Sequence, residues 1–238
     1  MKKLFLSLLM LATVYNLLAQ TTISDPNVEK RTVGSYHGID VATGIQLVLT
    51  AGNTEEVAVS ASKTEYRDKI ITKVENGVLK LYYETKTGAI NRKNDNKELK
   101  AYVSYKTLDK LEVTTGAQVK INGVLKSASL ELKSNTGGQV NGEIDISSLK
   151  VKQNTGSKIT LSGTSETLDV DGDTGSKFLG EGLRTVNCTA SAGTGAQVTI
   201  TVEKELSAKA DTGGNIKYKG SASIRNVKTH TGGSITKI

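Results

Sequence analysis

The sequence predicts an all-β protein: a parallel β-solenoid with coils of ~19 residues and a more irregular N-terminal part that includes a hairpin. Three observations predict it. Thr-Gly pairs recur through the second half, at Thr115-Gly116, Thr136-Gly137, Thr155-Gly156, Thr174-Gly175, Thr194-Gly195, Thr212-Gly213 and Thr231-Gly232, with successive glycines 21, 19, 19, 20, 18 and 19 residues apart. Columns aligned on those glycines alternate apolar and polar residues, the period of a half-buried strand. The 24 glycines are also uneven, with 6 in residues 1–115 and 18 in residues 116–238.

The columns justify the coil. Three residues after each glycine stand Val119, Val140, Ile159, Phe178, Val198, Ile216 and Ile235, all large and apolar. Five before stand Leu111, Leu132, Val151, Val170, Ala190, Ala208 and Val227. Seven before, the central copies give Leu130, Leu149, Leu168, Cys188 and Leu206. Polar residues fill the column between, so one face points inward and the other outward. The residue directly after each glycine is always small: Ala117, Gly138, Ser157, Ser176, Ala196, Gly214 and Gly233. A turn stacked on copies of itself leaves no room there for a long side chain. Glycines at 123, 142, 163, 180/182 and 220 predict a second turn in each coil. A single repeat cannot bury its apolar face alone, whereas a stack of repeats forms a continuous core. Gly156→Val in a middle coil is therefore expected to destabilise far more than the same change at Gly88.

The elements follow in order. Residues 1–19 read as a secretory signal peptide: Lys2 and Lys3, an apolar stretch from Leu4 to Leu18, then Ala19-Gln20 as the cleavage point. Its removal would lower the formal net charge from +7 to +5. Residues 20–32 are polar, include Pro26, and read as a flexible lead-in. Residues 33–238 read as one solenoid domain, with 33–113 the irregular, end-capping part and 114–238 the regular Thr-Gly repeats. Thr43-Gly44 looks like an early copy of the repeat. Asn76-Gly77 between apolar alternations predicts a hairpin. Residues 85–97 are polar and charged and predict an exposed loop.

Composition narrows the class. Aromatic residues make up 4% of the chain, and the outward columns carry lysine and glutamate, which disfavours an outer-membrane barrel with its aromatic girdles and lipid-facing apolar face. No segment after residue 19 is long and apolar enough to span a membrane as a helix. The single cysteine, Cys188, has no internal disulfide partner and sits in a leucine column, so it reads as a core residue. The positive charge is not interleaved with aromatics, which argues against nucleic acid as a partner.

The signal peptide, the segment "Gly-Ile-Asp-Val … Gly-Ile-Gln-Leu-Val-Leu" and the ladder of Thr-Gly-small turns together resemble the bacterial head GIN domain family of auto-transporter adhesins, over roughly residues 33 to 235. That family commonly has Ser-Gly-small turns; this chain has Thr throughout. The resemblance implies a pectin-lyase-like β-helix without the lyases' catalytic residues, a cell-envelope setting and an adhesive function.

The functional expectation is an exported, periplasmic, surface-associated or secreted binding or adhesion module that is not an enzyme and needs no cofactor. Its expected partners are surface glycans or other envelope proteins. An envelope scaffold without a small ligand is the alternative, and a polysaccharide-active enzyme ranks below both. Asp171, Asp173 and Asp211 fit turn capping better than a metal site, because Asn135 and Asn154 occupy the same turn position as Asp173 and Asp211. Lys133 and Lys152, and likewise Lys209 and Lys228, fall on adjacent coils of one outward column. These four lysines form the candidate binding face, suited to anionic surface polymers.

Overall fold

The computed structural model describes residues 25–84 and 96–238. The expected signal peptide, the lead-in up to residue 24 and most of the expected 85–97 loop, Gly88 included, lie outside the described residues. The chain runs β1 (Glu29–Arg31), β2 (Gly38–Val41), β3 (Gln46–Ala51), β4 (Glu56–Ser60), α1 (Thr64–Arg67), β5 (Ile70–Glu75), β6 (Val78–Tyr83), β7 (Lys100–Tyr105) and β8 (Lys110–Val113). Five long strands follow: β9 (Gln118–Ser134), β10 (Gln139–Gln153), β11 (Lys158–Gly172), β12 (Lys177–Ala192) and β13 (Gln197–Ala210). The last three are β14 (Asn215–Lys219), β15 (Ser223–Thr229) and β16 (Ser234–Lys237). Among the described residues, no helix is long and apolar enough to cross a membrane.

The fold is the parallel β-solenoid that the repeat predicts. Each long strand lies parallel to the next with the Thr-Gly repeats in register, so Val140 faces Val119 on one side and Ile159 on the other. Phe178, Val198, Ile216 and Ile235 continue that row. The inward columns are buried as expected in the inner coils, with Leu132, Val151, Val170, Leu168 and Leu206 at 2% exposure or less, but Val227 in the last coil is exposed because no further coil covers it. Cys188 lies between Leu168 and Leu206 and is buried with them. Burial, reinforced by nearby Asp169, pushes its thiol pKa far up, which leaves it a core residue and not a nucleophile.

Two details differ from the expectation. The second glycines from Gly123 to Gly182 do not interrupt their strands, whereas Gly220 falls between β14 and β15 as expected; each coil from β9 to β13 is one strand of 14–17 residues bent around the core. Gly163 sits at such a bend with φ +105°, where a Cβ would fall 2.0 Å from the Ile144 carbonyl oxygen. There is also a further buried column, three residues before each Thr-Gly glycine from Gly116 to Gly213: Val113, Ser134, Gln153, Gly172, Ala192 and Ala210. Its mixed chemistry hides it from a hydrophobicity reading. Gln153 is accommodated because its Nε2 donates to the Lys177 carbonyl at 3.1 Å, and its register partner in the next coil is Gly172.

The Thr-Gly turns are type I′ except at Thr194-Gly195, where only the glycine has positive φ. In the turn 135–138, Thr136 has φ +48° and Gly137 φ +73°, and the Gly138 N–H donates to the Asn135 carbonyl at 3.0 Å. Positive φ at a β-branched threonine is unusual, yet it recurs at Thr43, Thr115, Thr155, Thr174, Thr212 and Thr231. A ladder between coils holds it. Gly116 N–H donates to the Thr136 carbonyl, Gly137 to Thr155, Gly156 to Thr174, and so on to Gly213 and Thr231. Gly44 N–H donates to the Thr115 carbonyl, so Thr43-Gly44 is a true member of the stack.

The N-terminal part completes the same sheet out of chain order. β2 pairs with β8 and β3 with β9, both parallel, and on their other sides they pair with β6 and β7. β6 and β7 thus supply one more coil. Beyond them the pairing turns antiparallel: β5 on β6, β4 on β7 and β1 on β4. The β5–β6 hairpin turns at Asn76 and Gly77, both at positive φ, as the Asn-Gly signal predicts. At the other end β15 is exposed along its whole length.

Candidate functional site: the outward strand faces

The outward face that precedes each Thr-Gly turn carries the four lysines singled out from sequence. Register places them in one continuous column running Glu112, Lys133, Lys152, Asp171, Ser191, Lys209, Lys228. Neighbours in that column are separated by the inter-strand spacing of about 4.8 Å. Lys133 and Lys152 are thus adjacent, as are Lys209 and Lys228, while Asp171 and Ser191 divide the two pairs. Lys133 Nζ lies 3.1 Å from Glu131 Oε1, and this contact holds the Glu131 carboxyl below its usual range. Lys209 Nζ lies 2.5 Å from Asp211 Oδ2. Asp211 also contacts His230 Nδ1 at 2.7 Å, and Lys209 first, then His230, keep its carboxyl ionised to lower pH. A shallow hollow of about 290 Å³ beside Lys133 and Lys152 is shared with Glu112, Asp171 and Asp173. This face is therefore one of mixed charge.

Of the three aspartates expected to cap turns, Asp173 does so; Asp171 lies instead within β11 on the outward face. Asn135, Asn154 and Asp173 each accept, through Oδ1, the N–H of the following threonine at 2.7 Å. Asp211 departs from this pattern because Lys209 and His230 engage it. Among the described residues, no group of three or more His, Cys, Asp or Glu side chains is placed to hold a metal ion.

Sequence reasoning missed a second outward face, the one that follows each turn. Its two columns stand two and four residues after the glycines. The first runs Gln46, Gln118, Gln139, Lys158, Lys177, Gln197, Asn215, Ser234; the second runs Val48, Lys120, Asn141, Thr160, Leu179, Thr199, Lys217, Thr236. None of these residues is acidic. Lys120, Lys158, Lys177 and Lys217 are exposed, and none of them is in an ion pair among the described residues. A shallow open groove of about 440 Å³ lies on this face, lined by Gln46, Gln118, Lys120, Gln139, Asn141 and Lys158 among others. Carboxamides present both donors and acceptors, and ammonium groups present donors only. The signal was present in the sequence, in the polar residues on either side of the buried column that follows each glycine.

The family profile described as "Putative auto-transporter adhesin, head GIN domain" matches residues 35–222, which runs from before β2 to beyond β14. The chain belongs to the head GIN domain family. Solved structures agree on the fold. A putative adhesin from Bacteroides fragilis NCTC 9343 superposes with a TM-score of 0.78 at 20% identity, over 89% of this chain and 96% of that one. A putative adhesin from Parabacteroides distasonis ATCC 8503 gives a TM-score of 0.66 at 17% identity, over 89% and 96%. A protein described as a putative lipid binding protein, from the same strain, gives 0.63 at 18% identity, over 90% and 98%. No curated protein matches this chain at significance. Both outward faces run across the coils that the family profile covers and continue past residue 222, to Lys228 on one and to Ser234 and Thr236 on the other.

Proposed function

We propose that this chain is an extracytoplasmic, non-catalytic binding or adhesion module that engages surface glycans or other envelope components along the wall of its solenoid. The observation that carries this reading is the register itself. Outward side chains repeat coil after coil on a rigid, parallel stack, the kind of extended surface through which solenoids bind. Membership in a family described as adhesins, and a sequence start that reads as a signal peptide, support the same setting.

A glycan array combined with a turnover assay on acidic polysaccharides tests the reading. Binding without change in polymer length is the expected result. Processive cleavage would show an enzyme instead. N-terminal sequencing of protein recovered from the cell envelope should begin at Gln20, and recovery of uncleaved protein from the cytosol would refute the export assignment.

A further inference from the structure

The face that follows the Thr-Gly turns carries a more specific assignment, which rests on the binding-module reading above. We propose that it binds a linear acidic polysaccharide lying along the stack axis, perpendicular to the strands. Charge selects the ligand. Lys120, Lys158, Lys177 and Lys217 are exposed, are in no ion pair among the described residues, and share their two columns with no carboxylate. On the opposite side of the turn, by contrast, Lys133 and Lys209 each contact a carboxylate, and Lys152 and Lys228, though exposed and in no ion pair among the described residues, share their column with Glu112 and Asp171. Acidic groups flank the chosen face without entering it. Glu143 lies further along β10, and Glu181 of β12 is engaged by Lys219.

Geometry fits the length and shape of a polymer. Lys158 and Lys177 are register partners, while Lys120 and Lys217 lie further along the stack on either side. The four ammonium groups together span five coil steps, roughly 24 Å at ~4.8 Å per step. The groove beside Lys120 and Lys158 supplies a shallow, open bed. Between the cations stand Gln118, Gln139, Asn141, Thr160, Gln197 and Thr199, whose amides and hydroxyls can both donate to and accept from sugar hydroxyls. Nucleic acid fits less well, because single strands are gripped by a series of aromatic platforms, and these two columns contain no aromatic residue.

The test measures retention of the purified full chain in gels containing polygalacturonate, dextran or single-stranded DNA. Polygalacturonate should retard the protein, and raising salt should weaken the retardation. Changing Lys120, Lys158, Lys177 and Lys217 together to Glu should raise the apparent Kd at least tenfold. Changing Lys133, Lys152, Lys209 and Lys228 to Glu should alter it less than twofold. A milder set, the same first four lysines changed to Gln, guards against misfolding and should still weaken binding several-fold with an unchanged circular dichroism spectrum. Equal loss from the second set, or none from the first, overturns this assignment while leaving the binding-module reading standing. Retention by dextran alone, or by DNA as strongly as by polygalacturonate, does the same. No retention by any of the polymers overturns this assignment, and an empty glycan array beside it would remove the broader reading as well.

Discussion

Thr155 and Gly156 occupy the two central positions of a type I′ turn and tolerate it differently. Gly156, at φ +68°, has open space where a Cβ would stand, so a side chain there meets a backbone penalty and not a clash. Gly156→Val should therefore cost about 1–2 kcal/mol, the penalty of a left-handed conformation. The tight packing lies one residue later, in the small column that the sequence also shows. At Gly214 a Cβ would lie 2.1 Å from the Ala192 carbonyl oxygen, and Gly214→Val should cost roughly 3 kcal/mol. Thr155, at φ +47°, carries the opposite prospect: Asn tolerates that region better, and Thr155→Asn should stabilise by about 1 kcal/mol. Urea denaturation of the three variants ranks them, and Gly156→Val costing as much as Gly214→Val would contradict the assignment. Two tyrosines set an alkaline limit. Burial pushes the Tyr105 phenol up to about 12, and burial together with Glu55 and Glu56 pushes Tyr36 well above its usual range. An unfolded tyrosine ionises near ~10, so the folded state keeps protons that the unfolded chain loses. Stability is then full below pH ~10 and falls as pH rises through the folded values. A urea midpoint that stays constant from pH 9 to 11.5 would count against it.

At the scale of the element, the same column has different worth in different coils. Leu206 in β13 is fully buried, while its register partner Ile224 in β15 is 49% exposed. Leu206→Ala should cost about 2–5 kcal/mol, and Ile224→Ala under ~0.5 kcal/mol; thermal or urea unfolding of the pair decides it. The strand pattern itself was legible in the sequence, because alternation and a fixed repeat leave only one inward face. The Asn76-Gly77 hairpin was legible for a local reason as well: the turn chemistry requires positive φ at both positions. The continuity of β9 to β13 through their second glycines was not. A glycine that permits a bend and one that makes a turn look alike in sequence, and only the hydrogen bonding of the neighbouring coil tells them apart.

At the scale of the whole molecule, stability is distributed by neighbours. Each inner coil is sandwiched between two others, whereas β15 and β16 pair on one side only. Nearest-neighbour stacks of this kind lose protection from their less covered ends. Amide hydrogen exchange should be slowest in β10 to β12 and fastest in β15 and β16, and uniform protection along the stack would contradict this picture. The sequence by itself determined the coil: its length, its hydrophobic columns and its Thr-Gly turns, because periodicity is a local consequence of alternating burial. It also held both sets of lysines. Only the tertiary structure decided which lysines are free. Whether a cation stands alone or beside a carboxylate depends on side chains brought together across coils and along each strand face. Only the tertiary structure, too, placed the early Thr43-Gly44 coil beneath Thr115-Gly116 and turned the end strands antiparallel, since pairing between segments far apart in the chain leaves no periodic trace in either one.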